Sequence, residues 1–341
     1  MGQPATLRLQ NRSSILSVLF KHVQLTRPQI AQLVGVSTVT ANSIVRDLLG
    51  QGLVEVFEPS PGPLGRPAQL VTFSARAGTI IGLDVQRHQL HVVTGKLTAG
   101  DVAEEFIHLA DGDDLTGRVL SVLEQHREIG RWGLLKSVML SLPAPVGPGG
   151  VPGEPNALPD FDFPRVAAWV KASRVLMAYG NDANLAAAAE RHQGYAQGED
   201  SFALLLERDS GLGCGLFLGG SLYLGQAGRA GEFDMTVWHD QDLRRAQPPR
   251  ALEELGVPAR SQRLAEVLAA LVTILDLGTL LLSAQHPETL STEIAGLLPA
   301  HVRVAQSHFG QRGPATGAYG MAAARARNAL LAQGRDIPEA M

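Results

Sequence analysis

Apolar positions at helical spacing open the chain. Over residues 11–21, Ile15, Leu16, Leu19 and Phe20 fall on one face. Thr26 then offers an N-cap with Pro28 in the first turn, and Ile30, Ala31, Leu33 and Val34 give a second helix its buried side, which Gly35 ends. Ser37 caps a third helix. Val36, Ile44, Val45, Leu48 and Leu49 point inward there, and Thr38, Thr40, Asn42, Ser43 and Arg46 remain outside. Residues 52–57 and 67–73 alternate like two strands, joined by EPSPGPLGR with its three prolines and two glycines. Helix, short turn, helix and hairpin predict a winged helix-turn-helix over residues 1–75, whose third helix has a short-chained polar face suited to a major groove.

That face makes Ser37, Thr38, Thr40, Asn42, Ser43 and Arg46 candidate DNA contacts. On the wing, Gly65 and Arg66 join them, because an arginine reaches into a narrow minor groove of raised negative potential. A solvated polar face also suits a protein-interaction winged helix, and the wing arginine is what turns the reading toward DNA.

Beyond residue 76 the pattern changes. Residues 78–97 read as strand, turn and strand, 138–142 as a buried strand, and 142–161 as a long Pro/Gly loop of the kind that is usually functional. A short strand at 175–179 is broken by Gly180, and Asn181 starts an alanine-rich helix through Glu190. Residues 202–206 predict another strand and 216–224 a hairpin turning at Gly219-Gly220. The last third reads as helical apart from a strand near 278–282. The stretch 264–282 is the longest apolar one, but Glu266 and Asp276 interrupt it and its large residues keep helical spacing, so it reads as a buried helix and not a membrane span. Strands alternating with helices give the α/β class.

Composition narrows the partners. The 341 residues are 45% hydrophobic and 18% charged, enough for two or three packed domains and against wholesale disorder. A single cysteine, Cys214, rules out an internal disulfide framework and fits a reducing compartment. The opening MGQPATLRLQ has no apolar core of a signal peptide, so a cytoplasmic protein is expected. Net charge is -4, unevenly spread. Residues 1–75 hold six basic and three acidic residues, leaving 23 basic and 30 acidic for the rest. A basic head on an acidic body points to a polyanion met by the head alone.

GNDANLAAAAE (residues 180–190) resembles the signature of the ROK family of repressors, open reading frames and sugar kinases, usually E-N-D-A-N followed by a small-residue helix and Glu. LPAPVGPGG with Asn156, and GLGCGLFLGGSLYLGQAGRAGE (residues 211–232), match neighbouring family blocks in order and spacing. The head with its wing G-R-P matches the repressor branch, that of xylose and N-acetylglucosamine repressors. The resemblance spans nearly the whole chain. It implies an actin-like, two-lobed sugar-kinase fold behind the winged helix, with lobe 1 at 76–190, completed by a C-terminal helix at about 315–341, and lobe 2 at 191–314. It implies a ligand in the interlobe cleft and a homodimer or dimer of dimers.

In the family's kinases the Asp of N-D-A-N takes a proton from the attacking sugar hydroxyl, and the matching residue here is Asp182. The other sugar contacts carried over are Asn156, Asn181 and Glu232, side chains that pair with vicinal hydroxyls. An N-cap for the helix is the competing role for Asp182. The ATP apparatus departs from the family. D-x-G-x-T reads Asp84-Val85-Gln86-Arg87-His88, the G-T-G loop reads Gly211-Leu212-Gly213, and the late Gly-Gly reads Leu282-Ser283-Ala284-Gln285. The family's zinc, held by a His after G-E-x-G and three cysteines, has no counterpart, because Gly231-Glu232 runs into Phe233-Asp234-Met235 and residues 238–255 contain no cysteine. His239, Asp240 and Asp242 fall in that segment and read as a solvated loop. No cofactor and no metal are expected. The resemblance implies a sugar-responsive regulator that binds double-stranded operator DNA and has lost kinase activity. A ligand-blind DNA binder and an active sugar kinase with a regulatory head are the alternatives.

Overall fold

The structure, a computed structural model, describes residues 4–58, 68–98, 100–127, 130–233, 257–284 and 287–332. The head runs α1 (Pro4–Lys21), β1 (Leu25–Thr26), α2 (Arg27–Val34), α3 (Thr38–Gly50), β2 (Val54–Phe57) and β3 (Leu70–Phe73). Its boundaries are set by local chemistry. Thr26 and Gln29 form a reciprocal capping box, Gly35 closes α2 in the left-handed conformation, and the Ser37 hydroxyl accepts the Thr40 amide at the start of α3. β3 pairs antiparallel with β2 on one side and β1 on the other. The first helix begins at Pro4, earlier than the apolar pattern predicts. Its added turns are exposed, so no buried stripe marks them, and Arg8 ties them to α3 by hydrogen bonding Ser43 (3.1 Å) and Asp47. Gly65 and Arg66 of the wing lie outside the described residues.

The body contains two five-stranded sheets of one design. In the first, β4 (Thr79–Gln86), β5 (Gln89–Lys96), β6 (Val102–His108), β7 (Leu135–Leu142) and β8 (Leu176–Asn181) stand in the order β6-β5-β4-β7-β8. In the second, β9 (Phe202–Arg208), β10 (Gly211–Leu218), β11 (Ser221–Leu222), β12 (Thr279–Ser283) and β13 (Arg303–Gln306) stand in the order β11-β10-β9-β12-β13. Each sheet is an antiparallel meander whose first strand continues into two parallel ones. The ends of β4 and β9 are therefore equivalent positions, and Gln86 and Arg208 occupy them. The parallel strands bring the crossover helices α4 (Leu115–Arg127), α5 (Phe163–Ser173), α7 (Val257–Ile274) and α8 (Pro287–Ala295). Between the sheets in sequence lies α6 (Asp182–Gln193), and α9 (Gly313–Ala332) ends the described chain after a short 3-10 turn at Gly310–Arg312.

Several expectations are corrected. β8 is not broken at Gly180; it pairs with β7 through Gly180 to Asn181, which then caps α6. Residues 264–282 are not one helix. α7 stops at Ile274, Asp276 adopts a left-handed backbone (φ 52°), and β12 follows. Gly211-Leu212-Gly213 is not a loop but the start of β10, with Gly211 opposite Arg208, so the turn itself is Asp209-Ser210. The pattern predicts neither β6, α4 and α5 nor β13, which interrupts the last third read as helical. The hairpin turn at Gly219-Gly220 stands as expected, with φ of 58° and 77°.

Helix α9 packs on β4, β5 and β7 and against α6 at backbone distance. A Cβ at Gly82 would lie 2.1 Å from the Tyr319 amide nitrogen, and one at Gly317 would lie 1.8 Å from the Leu185 carbonyl oxygen. The Tyr319 hydroxyl donates to the Lys96 carbonyl (2.9 Å). One apolar cluster runs without a break from Ile15, Leu16 and Ile44 of the head to Tyr319, Ala322 and Ala326 of α9. Among the described residues no helix is long and apolar enough to cross a membrane.

Gly82→Ala forces backbone apart at this seam and is expected to destabilise the chain by about 1–3 kcal/mol in urea unfolding. A midpoint equal to that of the wild type would contradict the backbone-to-backbone packing of α9 on β4.

Candidate functional site

The turn from β8 into α6 carries the chemistry. The Asn181 side chain accepts the Asn184 amide (3.0 Å) and donates to the Ala144 carbonyl (3.2 Å) and to Glu232 Oε1 (3.4 Å). Asp182 is the next residue, buried, with Oδ1 accepting the Ala183 amide (2.8 Å). Burial pushes its carboxyl up to about 6, and Asp84 pushes the same way, while Arg208, the Ala183 amide and Gln86 oppose them.

Close enough for its charges to act on Asp182 is a buried ion pair that joins the two sheets. Arg208 Nη1 donates to Asp84 Oδ2 (2.6 Å), and the Ser141 hydroxyl donates to Asp84 Oδ1 (2.7 Å). Arg208 Nη2 donates to the Gln311 carbonyl (2.8 Å), and Gln311 Nε2 returns to the Glu207 carbonyl (3.0 Å) and the Ser283 hydroxyl (3.3 Å). Burial works to lower the Arg208 guanidinium, but Asp84 and Asp182 outweigh it and hold it above its ordinary value. The side chains are only 8% and 3% exposed, so each charge depends on the other for its stability in the interior. A cavity of about 750 Å³ opens beside the pair, lined by Asp84, Gln86, His88, Leu158, Arg208 and Gln311 among others.

Of the sugar contacts expected from sequence, Asn181 and Glu232 hydrogen bond to each other and Asp182 adjoins Asn181 in the chain, but none of the three lines that cavity. Asn156 hydrogen bonds elsewhere. Its side chain accepts the Leu158 amide (2.9 Å) and donates to the Leu158 carbonyl (3.3 Å), holding the loop that brings Ala157 and Leu158 to the cavity wall. Sequence reasoning missed Arg208, Ser141 and Gln311. The one local signal was a charged pair, Glu207-Arg208, ending a strand of buried apolar residues just before a tight turn.

On α3, Thr38 and Arg46 are exposed as expected. Ser37 and Thr40 are engaged with each other at the cap (hydroxyl oxygens 2.8 Å apart). Asn42 and Ser43 are less open than Ser37, Thr38 and Arg46. Ser43 turns toward α1 and accepts from Arg8, and Asn42 is half-buried, with an Oδ1 that has no hydrogen-bond partner among the described residues. Val39, absent from the expected set, is 79% exposed, one turn from Asn42 and two from Arg46.

Among the described residues, nothing fits the zinc that the family resemblance implies. The lone Cys214 is buried in β10, and burial pushes its thiol up to about 12, against a weaker opposing hydrogen bond with the Leu204 backbone. Among the described residues no group of three His, Cys, Asp or Glu could hold a metal ion. His239, Asp240 and Asp242 lie outside the described residues, as does Gln285.

No protein-family model matches the chain. It is 25% identical over 256 residues to a xylose repressor of Caldicellulosiruptor bescii, covering 71% of this chain and 62% of that protein. To the DNA-binding transcriptional dual regulator NagC of Escherichia coli K12 it is 24% identical over 240 residues, covering 68% and 58%. The chain thus matches about three fifths of the length of these curated relatives. Among solved structures, a ROK-family transcriptional regulator, homolog of the E. coli MLC protein, superposes with a TM-score of 0.67 at 17% identity, covering 96% of this chain and 99% of the other. The ROK hexokinase of Thermus thermophilus superposes with a TM-score of 0.55 at 19% identity, covering 72% and 99%. The body therefore has the α/β, actin-like fold of the ROK sugar kinases.

The Asp182 carboxyl titrates near 6 in the fold against 3.8 when free, so the stability it contributes is fully present below 3.8 and lost as pH rises through about 6. Asp182→Asn, which keeps an acceptor for the Ala183 amide, is expected to raise the Tm relative to the wild type at about pH 8 and to lose that advantage at about pH 4. An equal difference at both pH values, followed by calorimetry, would contradict the buried, raised carboxyl.

Proposed function

We propose that this chain, a ROK-family protein of the xylose-repressor and NagC type, is a sugar-responsive transcriptional repressor without kinase activity. Residues 1–75 act as a winged helix-turn-helix that binds operator DNA. Ser37, Thr38, Thr40, Asn42, Ser43 and Arg46 are its contacts on α3, and Gly65 and Arg66 its contacts on the wing. Ser43, which accepts from Arg8, also fixes α3 against α1, and Val39 offers an apolar contact to a thymine methyl. Residues 76–190, with a C-terminal helix at about 315–341, and residues 191–314 serve as the two lobes. A sugar or sugar derivative bound at Asn181, Asp182 and Glu232, with Asn156 shaping the wall, shifts the balance between DNA-competent and incompetent arrangements. It can do so only by binding the two with different affinity. The chain works in the cytoplasm as a homodimer or dimer of dimers, so the operator has two-fold symmetry.

The observation that carries the loss of kinase activity is Arg208. Its guanidinium pairs with Asp84, the carboxylate of the motif resembling D-x-G-x-T, and lies close enough to Asp182 for their charges to interact. A fixed internal cation then stands where phosphoryl transfer needs room for nucleotide phosphates and their metal. A second reading, a ligand-blind DNA binder, is favoured by one observation: Asn156 and Asn181 already have protein partners for both side-chain atoms.

The test begins with a duplex selected by the wild-type chain from a random pool. Arg46→Ala and Arg66→Ala are each expected to weaken its binding by about ten-fold or more with circular dichroism unchanged. In parallel, a monosaccharide and sugar phosphate panel is expected to yield a concentration-dependent rise in Tm that Asp182→Ala abolishes, with no rise from magnesium ATP. Unchanged affinity in both arginine variants would overturn the DNA assignment. A shift with ATP would restore the kinase reading, and no shift with any sugar would favour the ligand-blind one.

A further inference from the structure

Helix C-terminal ends leave carbonyl oxygens without intrahelical partners, and a cation placed there satisfies them and the local dipole together. In this chain one side chain does so for a helix of the body while holding a helix of the head. Arg12, on α1, donates from Nη1 to the Leu330 carbonyl in the last turn of α9 (3.1 Å) and from Nη2 to Gln51 Oε1 (3.1 Å). Gln51 is the C-cap of α3, its amide bonded to the Asp47 carbonyl. Burial draws the Arg12 guanidinium below its ordinary value, so its two hydrogen-bond partners matter to its placement. Arg8, one turn earlier, holds Ser43 and Asp47 on the same face of α3. The two arginines on α1 thus grip α3 along its length, and Arg12 adds a polar tie to α9 across the seam that the apolar cluster already closes.

The other end of α9 meets the cleft. At Gly313 a Cβ would lie 3.1 Å from the Ala186 Cβ of α6, and at Gly317 it would lie 1.8 Å from the Leu185 carbonyl oxygen. α6 begins at Asp182, capped by Asn181, and the Asp182 charge lies close enough to interact with Arg208 and Asp84, which line the cavity. Gln311, which receives Arg208, sits in the turn just before α9. No slack separates these elements, and a displacement of α6 or of the turn at Gly310–Arg312 must move α9 along with it.

We propose that Arg12 is the coupling residue through which a shift of α9 at the cleft reaches the DNA-facing helix α3. A sugar that tightens or loosens the start of α6 moves the α9 carbonyl that Arg12 holds, and Arg12 draws on Gln51 and so on the tilt of α3. This rests on the reading of α3 as the operator helix and gives that reading a route of regulation.

The experiment is a double-mutant cycle read by hydrogen–deuterium exchange on the full chain without DNA or sugar, so failure of the repressor reading leaves it standing. Arg12→Ala is expected to speed exchange about ten-fold in the last turns of both α3 and α9, and to leave β4 and β7 unchanged. Gly313→Ala, a wedge between α6 and α9, is expected to speed exchange at the end of α3 about three-fold when Arg12 is present and to add nothing in the Arg12→Ala background. If Gly313→Ala is absorbed without changing exchange in α6, Gly317→Ala supplies the stronger wedge and is read in the same way. If Arg12→Ala does not fold, Gln51→Ala removes the α3 arm alone and is expected to block the same transmission. A wedge effect on α3 of equal size with and without Arg12, an Arg12→Ala effect confined to α3, or a wedge that moves α6 but never α3 would each overturn the proposal.

Discussion

The close approach of α9 to β4 and α6 is the constraint on which the remaining architecture hangs. Alanine and glycine line this helix where it crosses the sheet, and Gly82 and Gly317 remove the side chains that would hold backbone from backbone. A helix that touches the first sheet, the cleft helix and the head cannot shift at one end alone. The uninterrupted apolar cluster from Ile15 to Ala326 has the same consequence. Head and body share a core, so α3, the helix proposed to face DNA, is anchored to the body's fold rather than tethered beside it.

The cleft follows from the repeated sheet design. Two sheets of identical strand order bring the ends of their first strands to equivalent places, which sets Asp84 in one sheet within reach of Arg208 in the other. An ion pair at such depth needs further hydrogen bonds to hold it, and Ser141 and the Gln311 carbonyl supply them. The result is a site that keeps side chains suited to a polyhydroxylated ligand at Asn181, Asp182 and Glu232 and has an internal cation beside them. The raised carboxyl of Asp182 belongs to the same arrangement, since burial, and then Asp84, disfavour its charge.

What was legible in the sequence was local. Thr26, Gly35 and Ser37 announce the ends of α2 and α3 because a cap bonds to amides or carbonyls a few residues away. Asn181 declared the start of α6 for the same reason. The strand β6 was not read, because as an edge strand it is exposed along almost its whole length and carries Glu104-Glu105 where an apolar alternation would be sought. Gly211-Leu212-Gly213 looked like a phosphate loop by composition, but the pairing of Gly211 with Arg208 makes it strand. The Asp84–Arg208 pair joins residues 124 positions apart, and no local pattern encodes it. The family resemblance supplied the two-lobed fold, yet it gave no hint of an arginine in the cleft.

The central claim is that one molecule links a sugar site to operator binding, and linkage makes this reciprocal. The direct measurement is the affinity of the chain for its selected duplex, at fixed salt, with and without a saturating sugar identified by its stabilisation of the free protein. The sugar is expected to weaken duplex binding, and the duplex to weaken sugar binding by the same factor, about five-fold or more. Equal duplex affinity at saturating sugar would contradict it.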